Sequence, residues 1–183
     1  MNKKPFIIGA YALSIILVVA IILLAVVPVS TYPQIKNPTD DITVSYDSST
    51  SITYSTENQN YEKLLKEIKK GFKVNILTGL FNGYLSSSDK NQVANSLKPS
   101  TIYVTFNYLE PQVLKINGKE QTKNSTSLEK IKYKSLSFQV SESNVGSKIT
   151  VYFTTIDESP AKYTVSYYGN MSGAYNLIKE LKP

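Results

Sequence analysis

Apolar positions along this chain fall into three regimes: one unbroken run, one stretch at helical spacing, and a long region of alternation. The unbroken run, Phe6 to Val29, carries no charged side chain and is rich in Ile, Leu and Val. Wound as a helix at about 1.5 Å per residue it is roughly 36 Å long, enough to cross a hydrocarbon core of about 30 Å with some tilt. The exit, Leu24-Ala25-Val26-Val27-Pro28-Val29-Ser30, lacks the small-residue cleavage site of a secretory signal, so the run predicts an uncleaved signal anchor over residues 6–29, the alternative being a long signal peptide removed on export. Lys3 and Lys4 precede it, whereas the far side offers only Lys36 before Asp40 and Asp41. The positive-inside rule then leaves residues 1–5 in the cytoplasm and sends the rest outward. Residues 30–41, with Pro33 and Pro38, read as a stiff linker, and residues 42–183 as an extracytoplasmic domain at the cell membrane.

Within that domain Ile42, Val44 and Tyr46 alternate with polar residues, Asp47 to Ser51 has turn chemistry, and Ile52 and Tyr54 alternate again, predicting a hairpin. Thr56-x-x-Gln59 resembles a capping box ahead of Tyr61, Leu64, Leu65, Ile68 and Phe72, which share one helical face. Leu77, Leu80, Phe81, Tyr84 and Leu85 resume helical spacing after Gly71, extending the prediction to one bent helix or two consecutive ones through about Leu85. Ser86 to Ser100 reads as a polar loop. The period then becomes two: Ile102, Val104, Phe106 and Tyr108 form a strand that Pro111 interrupts, and Val113 to Ile116 leads into an Asn117-Gly118 hairpin. Ile131 and Tyr133 change phase against Leu136, Phe138 and Val140, which predicts a bulge near Lys134 and Ser135. Strands through Ile149 to Phe153 and Tyr163 to Tyr167 follow, and a closing helix capped by Ser172 presents Ala174, Leu177, Ile178 and Leu181. The expected fold class is α+β: one N-terminal transmembrane helix, then a mostly antiparallel sheet covered by helices.

Composition narrows the chemistry. Among 183 residues there is no cysteine, histidine or tryptophan, and all 20 basic residues are lysine against 14 acidic ones. Thiolate and imidazole catalysis, disulfides and the usual zinc sites are thereby excluded, as is bidentate guanidinium recognition. A cysteine-free outer domain reads as a bacterial cell-envelope protein. Asn124-Ser125-Thr126 and Asn170-Met171-Ser172 match the glycosylation pattern, which carries meaning only in a eukaryotic secretory pathway.

Catalytic constellations are sparse. Ser87-x-x-Lys90, Ser127-x-x-Lys130 and Ser159-x-x-Lys162 have the spacing of a serine–lysine dyad, but the partner motifs S-D-N and K-T-G are missing. Asp40-Asp41 and Asp157-Glu158 sit in linker and turn contexts, unlike the buried carboxylates of a glycosidase. No enzyme activity, cofactor or metal is expected. Two binding surfaces stand out instead. Lys63, Lys66, Lys70 and Lys73 fall on one stripe opposite the apolar face of the first helix, as a solvated face does or as contact with an anionic lipid or envelope polymer requires. Tyr103, Tyr152 and Tyr168 alternate with threonine and serine and would share the polar face of the sheet if their strands are neighbours, a partner face or ordinary half-exposed filling.

The order of elements resembles, in outline, small single-pass envelope proteins of low-GC bacteria that assist a larger membrane complex, and more loosely the bitopic scaffold subunits of secretion and conjugation machines. The expected function is that of a membrane-anchored, non-enzymatic binding or accessory protein whose partners are the bilayer and an envelope protein; the outward topology disfavours nucleic acid. The alternatives are a structural subunit whose Gly9, Ala12 and Ser14 pack against another membrane helix, or a binder of anionic polymer or lipid through the lysines.

Overall fold

The computed structural model describes residues 4–26, 28–30, 40–46, 50–75, 84–88, 101–116, 119–123, 126, 128–142, 147–156 and 162–182. Helix α1 (Lys4–Val26) is followed by β1 (Pro28–Ser30), β2 (Asp41–Ser45), β3 (Ser51–Ser55), α2 (Tyr61–Gly71), β4 (Lys73–Asn75), β5 (Tyr84–Ser88) and β6 (Ile102–Val113). Then come β7 (Lys115–Ile116), β8 (Lys119–Glu120), β9 (Lys132–Val140), β10 (Ser147–Thr155), β11 (Lys162–Gly169) and α3 (Ser172–Glu180). Seven strands make one antiparallel sheet in the order β3-β2-β6-β9-β10-β11-β5, while β1–β4 and β7–β8 are separate pairs.

The two-residue alternation decides which face of the sheet is dry. Val44, Val104, Phe138, Val151 and Val165 occupy one register row across β2, β6, β9, β10 and β11, and all are fully buried. Helices α2 and α3 cover that face, α2 burying Tyr61, Leu64, Leu65 and Ile68, and α3 burying Ala174 and Ile178. Phe138 is the hub, edge-on to Phe72 at 5.4 Å and to Phe106 at 5.7 Å between ring centroids, an orientation that sets ring edges against π faces. The Tyr46 hydroxyl donates to the Ile178 carbonyl at 3.3 Å and so ties α3 back to the first hairpin.

The hairpin of β2 and β3 forms as its alternation predicts. The phase change at Lys134 is a bulge: Thr154 pairs with Ser135, but the next residue, Thr155, pairs with Tyr133. Strands β7 and β8 pair through Ile116 and Lys119, closing a hairpin around positions 117 and 118, which lie outside the described residues. Pro111 does not end its strand. Strand β6 runs on to Val113, and Pro111 lies in a bulge between the Asn107–Ser135 and Gln112–Tyr133 pairs. Leu109, in that bulge, is 78% exposed, and its amide is taken by the Asp40 carboxylate. A bulge needs no ladder donor at every position, which is why proline is tolerated there.

Three expectations are corrected. First, α2 stops at Gly71 and does not run on as one bent helix; for the alternative of a second helix toward Leu85, residues 76–83 lie outside those described. The terminal carbonyl of α2 accepts the Asn170 amide at 2.7 Å and Phe72 is driven into the core, so the chain leaves the helix and enters β4; Tyr84 and Leu85 belong to strand β5. Second, the Thr56–Gln59 box does not cap α2: the N-cap is Asn60, whose amide donates to Asn58 Oδ1 at 2.9 Å. Third, Ser172 does not cap α3. Asn170 Oδ1 accepts from the Ser172 amide at 3.0 Å and from the Ser172 hydroxyl at 2.7 Å, so the acceptor lies two residues earlier.

Every described side chain of α1, Tyr11–Val26, is exposed. Among the described residues no helix is long and apolar enough to cross a membrane. Of the linker expected over 30–41, Ser30 is paired in β1 and Asp41 begins β2, while residues 31–39 lie outside those described.

Candidate functional site

Two surfaces gather the residues that the pattern singles out. The first is the outward side of α2. Tyr61, Leu64, Leu65, Ile68 and Phe72 are drawn inward, and at about 100° per residue this turns Lys63, Lys66 and Lys70 outward. They line a groove of about 550 Å³ together with Glu62, Leu65, Lys69 and Lys73. Lys73 is there for a reason other than helical spacing, since it is the first residue of β4. Lys69 is the residue that the stripe missed: a helical wheel puts it on the flank, yet it is half-buried along the same groove. The tandem Lys69-Lys70 was the signal available for it.

Charge in the groove is lopsided, with five lysines against Glu62. Lys70 is ion-paired one turn back to Glu67, while Lys63, Lys66, Lys69 and Lys73 have no ion-pair partner among the described residues. The hairpin at the other side of the domain is different, for there Lys115 and Lys130 flank Glu120 and Lys123 reaches Glu129 at 2.9 Å. Two of the groove lysines, Lys69 and Lys70, close the last turn of α2, where they also complement the negative end of the helix dipole.

The second surface is the sheet face turned away from α2 and α3. Thr43, Thr105, Ser137, Tyr152 and Thr164 share one register row. Tyr103 stands opposite Gln139 in the next row, and Tyr168 opposite Lys148 in the row beyond. The strands of Tyr103 and Tyr152 are not neighbours, because β9 runs between them. With strands about 4.8 Å apart the two rings are still within reach of each other. Burial, and secondarily the Tyr152 phenol, raise the Tyr103 hydroxyl above its ordinary pKa. All three tyrosines are half-buried, and the Thr105 and Ser137 hydroxyls bond to each other at 2.9 Å.

The hydrolytic candidates are not brought together among the described residues. Ser87 lies in β5, but Lys90, Ser127, Ser159, Asp157 and Glu158 fall outside the described residues. Asp40 and Asp41 are engaged structurally: the Asp40 carboxylate accepts from the Leu109 amide in the β6 bulge, and Asp41 accepts from the Asn107 side-chain amide at 2.6 Å. Among the described residues no cluster of acidic side chains suited to a metal ion is found. No protein-family model, curated protein or solved structure matches the chain.

Proposed function

We propose that this protein is a membrane-anchored, non-enzymatic binding module of the cell envelope. Helix α1 lies in the bilayer with residues 1–5 in the cytoplasm, and the α+β domain stands on the outer side. There it engages a protein partner through the polar sheet face that carries Tyr103, Tyr152 and Tyr168. The observation that carries the anchor is α1 itself, an uncharged helix over Phe6–Val26 whose described side chains find no cover in the fold. Exposed apolar area on this scale is stable only against lipid or another apolar surface. Tyrosine, with a large ring and a polar end, is a residue type favoured at protein interfaces.

Absence of cysteine makes the topology directly readable. Lys3→Cys and Glu142→Cys, placed one at a time, are treated on intact cells with a membrane-impermeant maleimide. Glu142→Cys reacts at once and Lys3→Cys only after lysis; the opposite pattern overturns the orientation. The full-length protein is then purified from its native membrane in mild detergent and its companions identified by mass spectrometry. Tyr103→Ala with Tyr152→Ala loses the specific partner while staying in the membrane, and retention of the same companions overturns the assignment to this face. Exchange of α1 for an unrelated apolar helix leaves that partner bound. Loss on exchange would move the contact into the membrane, where Gly9, Ala12 and Ser14 allow close helix approach.

A further inference from the structure

The groove along α2 is joined to the membrane helix by a short path. Strand β1 starts at Pro28, directly after α1 ends at Val26, and pairs antiparallel with β4, so that Pro28 faces Asn75, Val29 faces Val74 and Ser30 faces Lys73. Resting on the reading of α1 as a bilayer anchor, we propose that the lysine groove of α2 docks the acidic headgroups of the membrane in which α1 itself sits.

The geometry carries this in three steps. At about 3.3 Å per residue, Ser30 is at most about 13 Å from the end of α1. The headgroup layer is roughly 6 Å thick on each side of the hydrocarbon core. Lys73, in register with Ser30, therefore lies within about one Debye length, roughly 8 Å, of the headgroups. The end of α2 that carries Lys69 and Lys70 is adjacent to Lys73 along the chain and is pinned by the bond from the Asn170 amide to the Gly71 carbonyl. That end of the groove therefore faces the bilayer. Charge complementarity selects the occupant: five lysines line the groove against Glu62, and Lys63, Lys66, Lys69 and Lys73 have no ion-pair partner among the described residues, whereas the hairpin lysines are paired. A lysine ammonium is a compact point charge, suited to phosphate oxygens without a fixed bidentate geometry.

The test uses the full chain, reconstituted into phosphatidylcholine bilayers with or without phosphatidylglycerol. An impermeant amine-acylating reagent is applied briefly and modification of each lysine is read by mass spectrometry. Lys132 is the internal reference, because it lies at the Thr155 end of the sheet, far from Gly169 and the end of α2. Phosphatidylglycerol is expected to slow modification of Lys69 and Lys73 roughly three- to fivefold at low salt, with recovery at high salt and no change at Lys132. Lys66→Gln, Lys69→Gln and Lys73→Gln together remove the same protein's tighter association with acidic bilayers. Equal modification in both bilayers, with the protein resisting alkaline extraction, overturns the proposal and leaves the anchor standing. Extraction from both bilayers by alkaline carbonate overturns the anchor and the proposal with it. Protection by a soluble poly(glycerol phosphate) but not by phosphatidylglycerol overturns it in favour of an envelope polymer.

Discussion

Ser30 and Lys73 face each other across the two-stranded pair of β1 and β4. Together with the Val29–Val74 and Pro28–Asn75 pairs, this contact joins the exit of the apolar helix α1 to the strand that follows the amphipathic helix α2.

Gly169 and Gly71 sit at a close approach of two backbone segments. A Cβ on Gly169 would stand 2.2 Å from the Gly71 carbonyl oxygen and 2.6 Å from Ile149 Cδ1. Backbone cannot yield as a side chain does, so Gly169→Ala is expected to destabilise by about 3 kcal/mol, the upper part of the usual overpacking range. At Gly71 the nearest atom is the flexible Met171 Sδ at 2.5 Å, and Gly71→Ala should cost about 1 kcal/mol, part of the clash being offset by better helix propensity. Urea unfolding of the two variants side by side checks the order.

Phe138→Ala removes a fully buried ring that touches two others edge-on, and a loss of about 3–5 kcal/mol is expected. Leu128, 95% exposed, is the control: Leu128→Ser should stay within about 0.5 kcal/mol of the parent. Thermal melts distinguish the two, and a small effect at Phe138 would contradict its place as the core hub.

Asn170→Ala takes away the acceptor for both the amide and the hydroxyl of Ser172 at the start of α3 and is expected to cost about 1 kcal/mol. Ser172→Ala keeps the amide bond and should cost less. The reverse order, in matched denaturant titrations, would restore Ser172 as the cap.

Burial raises the hydroxyls of Tyr133 and Tyr167 above the ordinary tyrosine value of 10.0. Above pH 10 the unfolded chain releases these protons while the folded chain holds them, so it is the folded state that binds more protons and stability falls as pH rises. Their contribution is complete below pH 10. Alkaline unfolding followed by circular dichroism should therefore coincide with the late part of the tyrosinate absorbance change, and Tyr133→Phe should make the loss of stability above pH 10 shallower. A phenolate signal from all tyrosines well before unfolding would contradict the burial of these two.

What could be read along the chain was whatever is set by a side chain and its near neighbours. Ile42, Val44 and Tyr46 announce a strand because alternate residues point to opposite faces, and the Lys134 bulge shows as a break in that same alternation. Tyr61, Leu64, Leu65 and Ile68 announce a helix face, and its lysines follow by exclusion from the core. The end of α2 was not readable in this way. Leu77 to Leu85 continues a helical spacing, yet Tyr84–Ser88 is the edge strand of the sheet beside β11, a choice made by a partner far along the chain. Short apolar runs suit either period, and pairing resolves them.

The same division holds for the two surfaces. Residue types and local period were enough to name Lys63, Lys66, Lys70 and Lys73, and to place Tyr103, Tyr152 and Tyr168 on the polar side of their strands. Only strand order put β9 between Tyr103 and Tyr152, and only the β1–β4 pairing set Lys73 opposite Ser30. Side-chain periodicity is a property of a few consecutive residues. Strand order and register depend on which distant backbone groups find each other once the core has closed, and no local spacing encodes that.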